Sequence, residues 1–310
     1  MKYSNPFRKP WTAVLMASLV FLAGPTAKGG EDGDALIEET LRTFKEESIK
    51  SEEQLEDFKG DFRKRVASMS DAERVDFIHK LARTTLMEKR YEDGEEGASI
   101  FIGLLHWSGT SREDQARAFT RFLEKGDAGK GTVVKGLLDA IAFSPTAPAE
   151  SLSAFRPALQ EADEVMKGRL VEYLFFRNPA GATEWFAKNV EMPDAQRSKV
   201  LAELDAVRFT INPPDQYSGD PVQVPLLTPD ETARKVEEWL AGDSWILRLL
   251  AKSYLTKYPN RQTPALQLAM KEVKPPATLK LLPYDPLNSR KDKPESNKLT
   301  PADPVEKTQQ

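Results

Sequence analysis

His106, Trp107 and Ser108 stand together in the chain, and a serine hydroxyl beside an imidazole is the pairing used for nucleophilic catalysis. That chemistry also needs an orienting acid and an oxyanion hole, and no Gly-x-Ser-x-Gly elbow exists here. His106 reads better as a residue of a helix C-terminus packed beside Trp107. The other histidine, His79, follows Ile78 on an amphipathic helix and reads as a boundary residue rather than a ligand. Two histidines and no cysteine exclude His-rich and thiolate metal sites, iron–sulfur clusters, disulfides and a cysteine nucleophile. A carboxylate site for calcium or magnesium stays open. Its best candidate, Tyr91-Glu92-Asp93-Gly94-Glu95-Glu96-Gly97, lacks the ligand order of an EF-hand and is too short for one, so it reads as a solvated turn. Asp127-Ala128-Gly129-Lys130-Gly131-Thr132 lacks both the preceding strand and the spacing of a phosphate-binding loop. Trp107, Trp185, Trp239 and Trp245 would suit a groove for peptide or glycan, but their helical spacing favours packing between helices.

Glu150 and Ser151 open the run Glu-Ser-Leu-Ser-Ala-Phe-Arg-Pro. The run resembles the start of the catalytic motif of lytic transglycosylases, which are exported, mostly helical enzymes. The resemblance implies a general-acid role for Glu150. The Gly-rich segment ending in Met-Gln that shapes that family's cleft is absent. On physical grounds Glu150 is an acidic residue favoured by the dipole at a helix start. No residue is therefore assigned a catalytic, cofactor-binding or metal-ligating role.

The elements around these residues are legible. Lys2, Arg8 and Lys9 precede Trp11 to Gly24, which carries no charge and is shorter than the roughly 20 apolar residues of a spanning helix. Small residues follow, so residues 1–29 read as a secretory signal cleaved after Ala27 or Gly29. The product is expected to be periplasmic or extracellular, with no stable membrane span in the mature chain. The net charge of −4 becomes more acidic once Lys2, Arg8 and Lys9 are removed, which argues against nucleic acid as a partner.

The mature chain shows helix after helix. Leu55, Phe58, Phe62, Val66 and Met69 recur at three- and four-residue steps, as do Val75, Ile78, Ala82 and Thr85. Further stripes are Val133 to Ile141, Met166 to Leu174, and Ile246 to Tyr258. Ser51 with Gln54, Ser70 with Glu73, Thr110 with Glu113 and Thr228 with Glu231 have capping-box spacing. Pro179, Pro229 and Pro264 each follow an Asn or Thr and fit a first helical turn. The single strand candidate, 221–227, holds two prolines and is demoted. The Pro-rich stretch 211–227 reads as a long loop.

Hairpin starts near Asp34, Asp71, Ser111, Ala149, Ala180, Pro229 and Pro264 recur at roughly 30 to 40 residues, the range of stacked helix pairs. Leu138-Asp139-Ala140-Ile141-Ala142-Phe143 is echoed by Leu204-Asp205-Ala206-Val207-Arg208-Phe209. The layout of 111–274 resembles HEAT-like or TPR-like α-solenoids, although the TPR signature is absent. The expected fold is all-α: an array of antiparallel helical hairpins, solenoid-like or irregular, with a disordered C-terminal tail. The expected parts are a helical region at 30–110, hairpins at 111–274 and the Pro-rich tail at 275–310. Within that tail Leu279, Leu281, Leu282, Tyr284 and Leu287 either float, dock back onto the helices or enter a partner's groove. The expected role is an exported scaffold for a protein or peptide of the cell envelope, with no cofactor. The alternatives are a glycan-acting enzyme of lytic-transglycosylase type and a periplasmic holdase. Alanine at Glu150 separates scaffold from enzyme.

Overall fold

Gly33–Lys45 (α1) buries Leu36, Ile37, Thr40 and Leu41 on one stripe, as its three- and four-residue spacing demands. The computed structural model describes residues 33–45, 49–86, 94–124, 147–211 and 227–283. Among these, every regular element is helical, so the fold is all-α. Residues 1–29, expected as a secretory signal, the calcium-candidate residues 91–93, residues 127–132, the Leu138–Phe143 echo and most of the expected loop 211–227 lie outside the described residues.

Glu52–Ser68 (α2) starts at Ser51, whose Oγ accepts the Gln54 amide at 3.1 Å. The reciprocal bond goes one residue upstream of the expected place: the Lys50 amide donates to Gln54 Oε1 at 2.8 Å. Asp71–Leu86 (α3) has a reciprocal box, with Ser70 N–H on Glu73 Oε2 at 2.7 Å and Glu73 N–H on Ser70 Oγ at 3.4 Å. Gly94–Ser108 (α4) ends at Gly109, whose φ of 65° is the left-handed value that glycine tolerates best. Arg112–Glu124 (α5) is capped by Ser111, which accepts the Asp114 amide at 3.0 Å, so the cap sits one residue later than the Thr110 and Glu113 spacing suggested. Thr110 instead joins Ser108 and Gln115 in a hydrogen-bonded joint between α4 and α5.

A 3-10 turn, Ala149–Phe155, runs into Arg156–Glu161 (α6). Glu164–Arg177 (α7) and Pro179–Asn189 (α8) follow, capped by Asp163 and Asn178. Asp194–Ile211 (α9), Pro229–Ala241 (α10), Trp245–Lys257 (α11) and Pro264–Glu272 (α12) complete the order. Thr228 forms the full expected box, and Pro179, Pro229 and Pro264 all occupy first turns.

Two helices are buried nearly all round rather than along one stripe. One is α3, which packs against α1, α4 and α5 and hides Phe77, Ile78, His79, Leu81, Ala82 and Thr85. The other is α8, which touches α7, α9, α11 and the 3-10 turn. Its Ala180, Gly181, Ala182 and Thr183 let the neighbours approach closely, and Trp185 and Phe186 fill the space beyond. Phe186 lies 5.0 Å from Trp185, 5.5 Å from Phe175 and 5.7 Å from Trp245, a cluster drawn from three helices. Between the two centres stands α5, which packs on α3 on one side and on α6, α7 and the 3-10 turn on the other. The described helices belong to one compact unit, 31–310, with a continuous buried core.

The described part of the tail, 275–283, lies against the helices. Leu279 and Leu281 pack on the core, and Leu281 forms an isolated antiparallel bridge with Val190. For Leu279 and Leu281 the structure shows docking back onto the helices. Tyr284, Leu287 and the remainder lie outside the described residues.

Candidate functional site

Helical spacing assembles a cleft from three elements. Arg117, Thr120, Arg121 and Glu124 fall on one face of α5, while Ala158, Glu161 and Ala162 fall on one face of α6 and its cap. The first turns of α3 close it with Asp71, Ala72 and Val75. The space is about 420 Å³, within the roughly 300 to 1,000 Å³ of small-molecule and side-chain pockets. A second recess of about 220 Å³ adjoins it, and Ala72 lines both.

The floor is apolar: Ala158 and Ala162 are buried and Val75 is half-buried. The rim carries both signs of charge, arranged as pairs. Arg117 forks onto Glu161, with Nε at 3.1 Å and Nη2 at 2.9 Å from Oε1. Arg121 meets Asp76 at 3.0 Å. Arg74 binds Asp114 at 2.9 Å and also holds Asp71. The Asp114 side chain is only 5 % exposed, beneath Arg74 and Arg117. The bond to Glu161 holds Arg117 above its ordinary value, and the bond to Asp114 does the same for Arg74.

Burial alone would raise Asp76, but the hydrogen bond and charge of Lys80, helped by Arg121, outweigh it and hold the carboxyl below its ordinary range. A lowered folded-state value means that the charged form stabilises the fold above the unfolded value of 3.8. That contribution is lost as pH falls through the lower folded value. Asp76→Asn is therefore expected to lower stability at neutral pH and to narrow the gap to wild type as the solution is acidified below about pH 4. Urea melts of both proteins between neutral pH and pH 3 measure this.

Within the cleft, the Thr120 hydroxyl donates to the Ala116 carbonyl at 3.0 Å. Among the described residues, Glu73, Asp76, Glu184 and Glu231 are held below the ordinary carboxylate value by their hydrogen bonds and neighbouring charges. Among the described residues no group of three His, Asp or Glu side chains is placed to hold a metal ion.

The residues singled out from sequence lie elsewhere. Glu150 is exposed on the 3-10 turn rather than at an α-helix start, and Ser151 Oγ donates to the Pro148 carbonyl at 2.7 Å. His106 is exposed, while Ser108 is buried and donates to the Leu105 carbonyl at 2.7 Å. His79 is not a boundary residue: it is buried edge-on against Phe122 at 6.1 Å, because α5 covers that side of α3. The four tryptophans pack between helices. Trp185 donates to Ser153, Trp239 donates to Glu203, Trp245 joins the Phe175–Phe186 cluster, and Trp107 meets Phe58. The helical spacing of the cleft's faces was readable in advance; their meeting was not, because Arg117 and Glu161 pair across 44 positions of sequence.

No family model, no curated protein and no solved structure matches the chain. Among the described residues no helix is long and apolar enough to cross a membrane.

Proposed function

We propose that the chain is an exported helical scaffold that binds a segment of another cell-envelope protein in the cleft between α3, α5 and α6. The observation that supports this reading is the cleft's composition. An apolar floor would take a side chain of the incoming segment. A rim of paired charges of both signs would meet a polypeptide's own mixed charges and backbone dipoles without favouring a polyanion. The uncharged stretch from Trp11 to Gly24 behind a basic start supports export.

Affinity capture from envelope extract with the mature chain tests the reading, with Ala72→Trp as the control. Ala72 is exposed and lines both recesses, so an indole there fills the cleft without disturbing the core. A partner held by the wild type and lost by at least tenfold with Ala72→Trp is the expected result. A partner retained equally by the folded variant would move the binding surface elsewhere.

A further inference from the structure

The end of α8 carries a second recognition element, and part of the chain already sits on it. Residues 279–282 run extended alongside Asn189, Val190 and Glu191. The Glu191 amide donates to the Lys280 carbonyl at 3.0 Å, and the Leu282 amide donates to the Asn189 carbonyl at 2.8 Å. These two bonds flank the bridge between Val190 and Leu281. Beneath them lies Arg156, only 6 % exposed and distant in sequence from both strands of this pairing. Its Nη1 donates to the Leu282 carbonyl at 2.7 Å and its Nη2 to Asn189 Oδ1 at 3.0 Å. Asn189 is itself held by its Nδ2, which donates to the Trp185 carbonyl at 2.9 Å. The receiving edge is thus tied to the body of α8 through Asn189 and to α6 through Arg156.

The two sides of this contact differ in burial. Val190 and Arg156 are buried, whereas no residue from 275 to 283 is; Leu279, Leu281 and Leu282 are half-exposed. The ion pair between Lys280 and Glu191, at 4.0 Å with both side chains mostly exposed, adds little. A segment held by main-chain pairing and little buried area belongs to the part of a fold that opens locally, without global unfolding. Opening would leave one backbone carbonyl, one backbone amide and a guanidinium aimed at a third main-chain position. That set recognises an extended peptide by strand addition.

We propose that the Asn189–Glu191 edge with Arg156 is a receptor for an extended peptide of a partner protein, and that residues 279–282 are its internal occupant. The fitting peptide places apolar side chains at alternate positions, as Leu279 and Leu281 do, and offers a carbonyl to Arg156. The C-terminal segment then acts as a built-in competitor. This edge is separate from the α3–α5–α6 cleft, so the failure of either leaves the other standing.

The test uses the full mature chain and a fluorescein-labelled, end-blocked peptide Thr-Leu-Lys-Leu-Leu-Pro, the sequence of 278–283. Leu281→Asp places a charge on the internal occupant and should release it. The probe is expected to bind this variant at least tenfold more tightly than wild type, and Arg156→Met added to it should abolish that gain. A Leu281→Asp protein with wild-type circular dichroism that binds the probe no better than wild type overturns the proposal. So does binding that survives Arg156→Met. Hydrogen exchange on the wild type gives a second reading that needs no variant. The Glu191 and Leu282 amides should exchange at least a hundredfold faster than the slowest amides of α8, and equal rates would overturn the proposal.

Discussion

Trp185→Ala is expected to lower the stability of the fold by about 3–5 kcal/mol, the range for truncating a large buried aromatic. The indole is 2 % exposed and meets Phe186 edge-to-face, and through Phe186 it is coupled to Phe175 on α7 and Trp245 on α11. Its Nε1–H donates to Ser153 Oγ at 3.3 Å, so the same side chain also ties the 3-10 turn to α8. Alanine would leave a cavity where four elements meet and would leave the turn without that bond. Trp185→Phe keeps the ring contacts and loses the hydrogen bond, and it should cost much less. Urea melts with a common m-value measure both. A loss below about 1 kcal/mol for the alanine variant would show that α8 is not the centre described here.

The second large effect belongs to a polar residue. Asn178→Leu is expected to cost about 2–4 kcal/mol, because a buried main-chain amide and a partly buried carbonyl lose their partner at once. Asn178 is fully buried at the sharp joint between α7 and α8. Its Oδ1 accepts the Gly181 amide at 2.9 Å, and its Nδ2 donates to the Ala147 carbonyl at 2.7 Å. Asn178→Asp keeps the acceptor and loses the donor, and it should fall between wild type and leucine. Gly181 belongs to the same device. A Cβ there would lie 2.4 Å from Asn178 Nδ2, so Gly181→Ala should displace the cap and mimic part of the leucine effect. Thermal melts that place Asn178→Asp and Asn178→Leu together would count against the Ala147 bond.

Much of this fold was legible before any coordinates. The starts expected near Asp34, Asp71, Ser111, Ala149, Ala180, Pro229 and Pro264 each lie within one residue of an observed element start. They were readable because caps and first-turn prolines are local: Ser, Thr or Asn followed by a helix is a statement about three or four residues. The one-residue shift from Thr110 to Ser111 shows the limit of that logic. Both hydroxyls fit the spacing, and the joint with Ser108 and Gln115 decided which one caps.

What stayed hidden depends on contacts distant in sequence. The stripe Val75, Ile78, Ala82 and Thr85 marked one face of α3, yet Phe77, His79 and Leu81 are buried too, since three helices surround it. Small residues at 180–183 were a readable sign of close packing around α8, although nothing in the sequence said which neighbours would come. The charged residues of the cleft looked like ordinary solvated faces, because the bond from Arg117 to Glu161 links residues on different helices. Arg156 belonged to the run that resembles the start of a catalytic motif. Its partner at Leu282 could be found only in three dimensions.

The cleft lies where the α3-centred and α8-centred packing meet through α5, so the account requires both halves of the core to unfold as one. Native-state hydrogen exchange over a series of sub-denaturing urea concentrations measures this directly. The slowest amides of α3 and of α8 should share one opening free energy and fall with urea along one slope. If α3 opens several kcal/mol below α8 with its own shallower slope, the cleft is a hinge between two separately stable blocks, and the account of a preformed recognition site is wrong.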